Sequence, residues 1–270
     1  MSLMPATLNT LPASAEQRRQ AAWKVAEQCS HVLKQDFGAT EVIVFGSLRG
    51  DAPWHNRSDL DLAVRGIPSD NLLKAFDRLE TTIVPSWLPF DLVAVERADE
   101  RVRDRILQTT PIPENTYLAL QQRLKDELAA IQQTVDTLVE VIAQADTVAE
   151  IIVTPALASY IEDFYTGCER LAERVVVTLD GGLPTGENWH QQLLQQVAEP
   201  GGYERPPLWE RSLLQELDEY RRFRHRVRHL YNLDLSSEKV LELAQPIPEL
   251  SERLKQAVEQ FGKWLEETSN

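Results

Sequence analysis

Asp59 and Asp61 stand two apart in Ser58-Asp59-Leu60-Asp61-Leu62, a run that reads as a strand over 59–65. Alternate residues of a strand project to one face, so the two carboxylates lie side by side. Adjacent carboxylates resist joint ionisation unless a cation sits between them, and such oxygen ligands suit Mg2+. A third carboxylate, Asp91, falls in the strand Phe90-Asp91-Leu92-Val93-Ala94-Val95, expected beside the first pair. Three carboxylates from neighbouring strands suit two metal ions, one activating an attacking hydroxyl and one carrying a triphosphate. Upstream, a Gly46-Ser47 turn closes the apolar run Val42-Ile43-Val44-Phe45. Gly46 lets the backbone approach a phosphate, Ser47 adds a hydroxyl and N–H donors, and Arg49 can add charge on the leaving phosphates. The bland alternative for Asp59 and Asp61 is a solvated strand edge; the Gly-Ser turn and the third aspartate weigh against it. Arg57 and Ser58 read as loop structure, and His55 as a surface residue.

A second cluster lies far downstream. Residues 221–231 read Arg-Arg-Phe-Arg-His-Arg-Val-Arg-His-Leu-Tyr, five arginines and two histidines in eleven residues. An amphipathic helix packed through Leu217, Tyr220, Phe223, Val227 and Leu230 accounts for some of these as its solvated face. The rest stand out against their surroundings. The whole chain carries 28 Lys+Arg and 42 Asp+Glu, net −14. Residues 1–116 hold 13 basic and 16 acidic side chains, net −3, which leaves −11 for the remainder. An acidic surface discourages indiscriminate nucleic-acid binding, so a basic concentration inside it points to a local phosphate-binding surface.

The elements that must position these residues follow from periodicity. Residues 14–36 read as a helix with Ser14 as N-cap and Gly38 as stop. Strand 41–45, strand 59–65, a helix over 69–82 started by Ser69, strand 90–95 and a helix over 98–108 complete a compact α/β unit with a small mixed sheet. The segment Thr109–Glu114, with two prolines and no periodicity, is the linker. Beyond it five helices are expected, near 117–145, 155–179, 188–197, 208–230 and 247–265, and short connections make them a bundle. The fold class is therefore α+β: an N-terminal α/β domain over residues 1–113 and an all-α domain over 114–270. No apolar run is long enough to span a membrane. The N-terminus lacks the pattern of a secretory signal. Cys29 and Cys168, in separate helical patterns without metal-ligand spacing, read as reduced core residues of a cytoplasmic protein.

Gly46-Ser47, then Asp59-x-Asp61 after eleven intervening residues, then Asp91 on a later strand, resembles the minimal (MNT) branch of the polymerase-β nucleotidyltransferase superfamily. The spacing carries a one-residue insertion in the loop near Trp54-His55. The resemblance implies ATP as substrate, Mg2+ as cofactor, and transfer of AMP to a hydroxyl. Arg224-x4-His229-x-Tyr231 resembles the RX4HXY motif of HepT-type toxins, members of the all-helical HEPN ribonuclease family. Arg222, with six residues between it and His229, fits a looser form of the motif and competes for the arginine position. There His229 would be the general acid/base on a ribose 2′-hydroxyl, and the arginine would stabilise the phosphorane. On an ideal helix Arg224 and His229 point about 140° apart. Either the helix breaks near His229 or two copies face each other, and the second option implies a homodimer, as the family resemblance does.

In the related two-protein systems the nucleotidyltransferase is the antitoxin and adds AMP to the motif tyrosine. The resemblance therefore implies a fused toxin–antitoxin, with RNA as substrate of the helical domain and the chain itself, at Tyr231, as target of modification. Three other readings compete: an aminoglycoside-type small-molecule nucleotidyltransferase, a ribonuclease with a nucleotide-sensing domain, and a non-enzymatic regulatory dimer.

Overall fold

The computed structural model describes residues 12, 14–98, 100–109, 112–229 and 235–269. The chain forms two compact units, Met1–Ile112 and Pro113–Asn270. Among the described residues no helix is long and apolar enough to cross a membrane.

The first unit runs α1 (Ala15–Phe37), β1 (Glu41–Phe45), α2 (Gly46–Arg49), β2 (Leu60–Arg65), α3 (Ser69–Thr82), β3 (Phe90–Ala94) and α4 (Glu100–Leu107). The Ser14 side chain caps α1 by accepting from the Gln17 N–H at 3.2 Å, and Gly38 ends the helix in the left-handed region. The three strands form a mixed sheet with β2 in the centre, antiparallel to β1 and parallel to β3. A central strand must bury both faces, so β2 is apolar almost throughout. Leu60, Leu62 and Val64 pack with Ala22, Val25, Cys29 and Leu33 of α1 and with Ala75 and Leu79 of α3. Ala63 faces the other way, into a smaller cluster with Phe45, Val95 and Ile106 of α4. Asp61, two residues before Ala63, shares that second face at the end of the sheet.

Three local expectations differ. Gly46-Ser47 opens a one-turn helix, α2, rather than a plain turn. Asp59 lies just before β2 and not on it. Ser69 is the first residue of α3, but Pro68 occupies the cap position and makes no side-chain cap.

The second unit comprises α5 (Thr116–Ala143), α6 (Glu150–Leu179), α7 (Trp189–Val197), α8 (Arg211–His229), α9 (Ser237–Ala244) and α10 (Ile247–Thr268). The expectation of five helices is corrected to six among the described residues. The addition, α9, is only eight residues long, too short for a periodic signal, and is started by the Ser236 hydroxyl accepting from Lys239. Helix α6 begins before Pro155, not at it, because a proline near a helix start sacrifices little hydrogen bonding. It is the pillar of the unit and packs against α5, α7, α8 and α9. Gly167 allows the close crossing of α5: a Cβ there would lie 2.5 Å from Ile131 Cγ1.

The entry into α8 is held by a buried charge pair. Arg205 is fully buried, bonded to both oxygens of Asp180 at 2.9 and 2.8 Å and to the carbonyls of Gln196 and Pro206. Removing one partner leaves an uncompensated buried charge. Asp180→Ala is therefore expected to cost about 3–5 kcal/mol, seen as a lower urea midpoint followed by tryptophan fluorescence. Loss of less than about 1 kcal/mol, the scale of a surface pair, would refute the assignment.

Candidate functional site

The strand register assembles the carboxylates. Asp61 is paired with Phe45 on one side and Asp91 on the other. Asp59 approaches from the loop leading into β2. The three acids can place one oxygen each within 4.8 Å of one another, with Asp59 and Asp61 half-buried and Asp91 exposed. Three negative charges at such separations repel strongly, and a hard cation among them relieves the repulsion. The donor set, all oxygen, suits Mg2+.

Gly46 explains itself here. It follows Phe45 directly, has φ +70°, and an added Cβ would lie 1.9 Å from Asp61 Oδ2. Only glycine tolerates both the backbone and the approach. Next to it, Ser47 Oγ is buried with no hydrogen-bond partner. An orphaned buried hydroxyl is costly unless a ligand completes it, and it sits where a phosphate cradle needs a donor.

The loop carrying these groups is tied down by further contacts that the sequence did not announce. Asp51, 7% exposed, accepts from the Gly46 N–H at 2.8 Å and closes the segment on itself. Arg49 grips Asp51 at 2.6 Å and donates to the carbonyls of Arg105 and Ile106 at 2.7 and 2.9 Å. These donors stitch α2 to the end of α4. Arg18, 4% exposed, occupies the apolar stripe of α1 and donates to Ser58 O at 2.7 Å and Trp87 O at 2.6 Å. It lies over the rings of Trp54 and Trp87, at 5.8 and 5.0 Å. Burial lowers its pKa, opposed by the charge of Asp59, so the guanidinium is an electrostatic neighbour of the triad. By holding Ser58 it fixes the residue before Asp59. The sequence signal was available: an arginine at a core position of an amphipathic helix needs a buried partner. In the same loop, Ser58 Oγ accepts from the His55 N–H, and His55 Nδ1 accepts from the Arg57 N–H.

In the second unit α8 runs unbroken from Arg211 through His229. Arg224 and His229 therefore keep the wide angular separation of an ideal helix, and no break brings them together. The His229 side chain and Tyr231 lie outside the described residues. Arg224 points into the bundle. Its side chain is 12% exposed and pairs with Glu169 Oε2 at 3.2 Å, beneath the ring of Tyr165. Glu169 is itself buried, and its Oε1 accepts from Tyr165 Oη at 2.9 Å and pairs closely with His190 Nδ1. Burial first, then the Glu169 charge, pushes the Tyr165 hydroxyl far above the ordinary phenol range. Glu169 and His190 were not anticipated. A carboxylate within the apolar stripe Phe164-Cys168-Leu171 was a signal for Glu169; a lone histidine on a short helix carried none.

Arg222, Arg226 and Arg228 of the same helix are exposed, and half-buried Arg221 pairs with Asp218 at 2.7 Å. Arg221, Arg222, His225 and Arg226 line a groove of about 540 Å³ with Glu219 and Leu243. Arg222 stands seven residues, about two turns, before His229 and so shares its side of the helix. Geometry thus separates the two arginine candidates: Arg224 is inside, while Arg222 is on the solvent-facing side.

Both cysteines are free and buried, and burial pushes the Cys29 thiol up to about 12, so neither acts as a nucleophile.

Residues 156–265 match the family model described as HepT-like protein. The match spans most of α6 to α10 and includes positions 224, 229 and 231. Searches of curated proteins and of solved structures found no significant match.

Gly46→Ala should displace Asp61 and weaken cation binding. We expect Mg2+ to raise the melting temperature of the wild-type chain and to leave that of Gly46→Ala nearly unchanged. An equal Mg2+ response in both would show that the triad does not need the glycine.

Proposed function

We propose that the chain is a fused toxin–antitoxin protein in which the first unit transfers AMP from ATP to a tyrosine of the second, Tyr231. The observation that carries this reading is the convergence of Asp59, Asp61 and Asp91 beside Gly46. Mg2+ held by these carboxylates would neutralise the triphosphate and acidify the attacking hydroxyl. The chain's own groups do the rest. Gly46 leaves room for a phosphate oxygen, Ser47 Oγ donates to it, and Arg18 keeps Asp59 in place through Ser58.

The HepT-like match supports a HEPN ribonuclease-type role for the helical unit. In that unit the basic groove would take RNA phosphates, with His229 as acid/base and the unit acting as a homodimer. AMP on Tyr231, two residues beyond His229 in the sequence, would add negative charge and bulk that repel an RNA substrate. A second reading is favoured by the same match: the helical unit is a ribonuclease and the first unit only senses nucleotide. An aminoglycoside-type transferase draws support only from the chain's acidity, and the outward-facing arginines oppose a cationic substrate.

Intact-mass and peptide mass spectrometry after incubation with ATP and Mg2+ separates these. The wild-type chain should gain AMP at Tyr231, and Tyr231→Phe and the double variant Asp59→Asn, Asp61→Asn should not. A wild-type chain that stays unmodified sinks the transfer reading. RNA cleavage that disappears in His229→Ala, with no AMP transfer, would establish the sensing alternative.

A further inference from the structure

The turn that carries Gly46 and Ser47 is closed by one buried carboxylate. Asp51 accepts from the Gly46 N–H at 2.8 Å, and its own N–H returns to the Gly46 carbonyl at 3.1 Å. A buried carboxylate needs an opposite charge. Arg49 supplies it, with Nε at 2.9 Å from Oδ1 and Nη2 at 2.6 Å from Oδ2. The same guanidinium has a second task. A helix leaves its last four carbonyls without intrahelical partners. At the end of α4 the Thr109 N–H donates to the carbonyl of Asp104 at 3.2 Å, and Arg49 donates to those of Arg105 and Ile106. A cation there also suits the negative end of the helix. Arg49 is thus both the counter-ion of the Gly46–Ser47 turn and the C-terminal cap of α4.

The residue that follows α4 is strained. Gln108 has φ +53°, the left-handed conformation in which a helix end ordinarily places glycine. Its amide donates to Asp51 Oδ1 at 3.4 Å, so the side chain that glycine lacks makes a further link to the same carboxylate. A strained residue persists only while its surroundings hold it. The end of α4 therefore has two states, clasped to Asp51 and released.

We propose that Asp51 and Arg49 are positioning residues for the nucleotide, and that through them the end of α4 responds when a nucleotide occupies the Gly46–Ser47 turn. This rests on nucleotide binding by the first unit, which the transfer and sensing readings share. A ligand that fits the turn only in its clasped shape stabilises every bond that opens with it. Occupancy of the turn is thereby felt at Gln108 and Thr109, where the chain leaves α4 on its way to the second unit.

Hydrogen–deuterium exchange of the full chain tests this, using Mg2+ and the α,β-methylene analogue of ATP, which cannot pass on its AMP. At about ten times its Kd the analogue should slow exchange roughly tenfold both in residues 46–51 and in residues 104–109, because one opening exposes both. Arg49→Lys keeps a charge beside Asp51 but has no planar fork to reach two carbonyls as well. It should retain the slowing at 46–51 and lose most of it at 104–109, a separation that a merely structural role does not produce. Slowing confined to 46–51 in the wild-type chain overturns the proposal and leaves nucleotide binding standing. An Arg49→Lys variant that responds at 104–109 as the wild type does has the same consequence. No slowing in either segment overturns the proposal and the nucleotide reading together.

Discussion

Mutual repulsion among Asp59, Asp61 and Asp91 is the constraint that organises the first unit. Oxygens within 4.8 Å of one another on three carboxylates are unfavourable in isolation, and the fold accepts them because β1, β2 and β3 are locked in register behind them. Leu60, Leu62 and Val64 anchor the central strand between α1 and α3. Hydrophobic burial on one face therefore holds charge on the other. Arg18 lends a compensating field but spends its donors on backbone carbonyls rather than on the aspartates. A hard cation among the three would relieve that repulsion.

Glu169 presents the opposite solution. A single carboxylate is buried in the helical unit and given partners from three helices: Tyr165 on its own α6, His190 on α7 and Arg224 on α8. Nothing is left for an external cation. A carboxylate saturated in this way holds helices together. One unit thus presents carboxylates toward a ligand, the other spends a carboxylate on its own fold.

Much of this arrangement was legible in the chain. Glycine marked the position where the backbone meets Asp61, and the alternation of Asp59 and Asp61 with Leu60 and Leu62 separated site from core. Long amphipathic helices announced themselves by their stripes. What escaped was set by tertiary contact. Two partners of Arg49, the carbonyls of Arg105 and Ile106, belong to a helix more than fifty residues away. His190 meets Glu169 only because α7 docks on α6. Helix α9 was too short for periodicity to register. Arg18 and Glu169 share a lesson: a charged residue on an apolar stripe is an unmet demand for a partner, readable before the partner is known.

Helix geometry finally bears on how the arginine motif can work. Five residues along an unbroken helix place Arg224 and His229 on different sides, whereas seven place Arg222 and His229 on one side. Arg224 has made its commitment to Glu169 in the interior. A phosphate held against the solvent face of α8 would meet Arg222, Arg226 and His225 in the groove they line. The motif thus divides between two tasks. Its inward arginine belongs to a buried network that joins α6, α7 and α8. Its outward arginines form an anion-attracting surface on an otherwise acidic chain, where a local excess of positive charge has its greatest effect on which ligands approach.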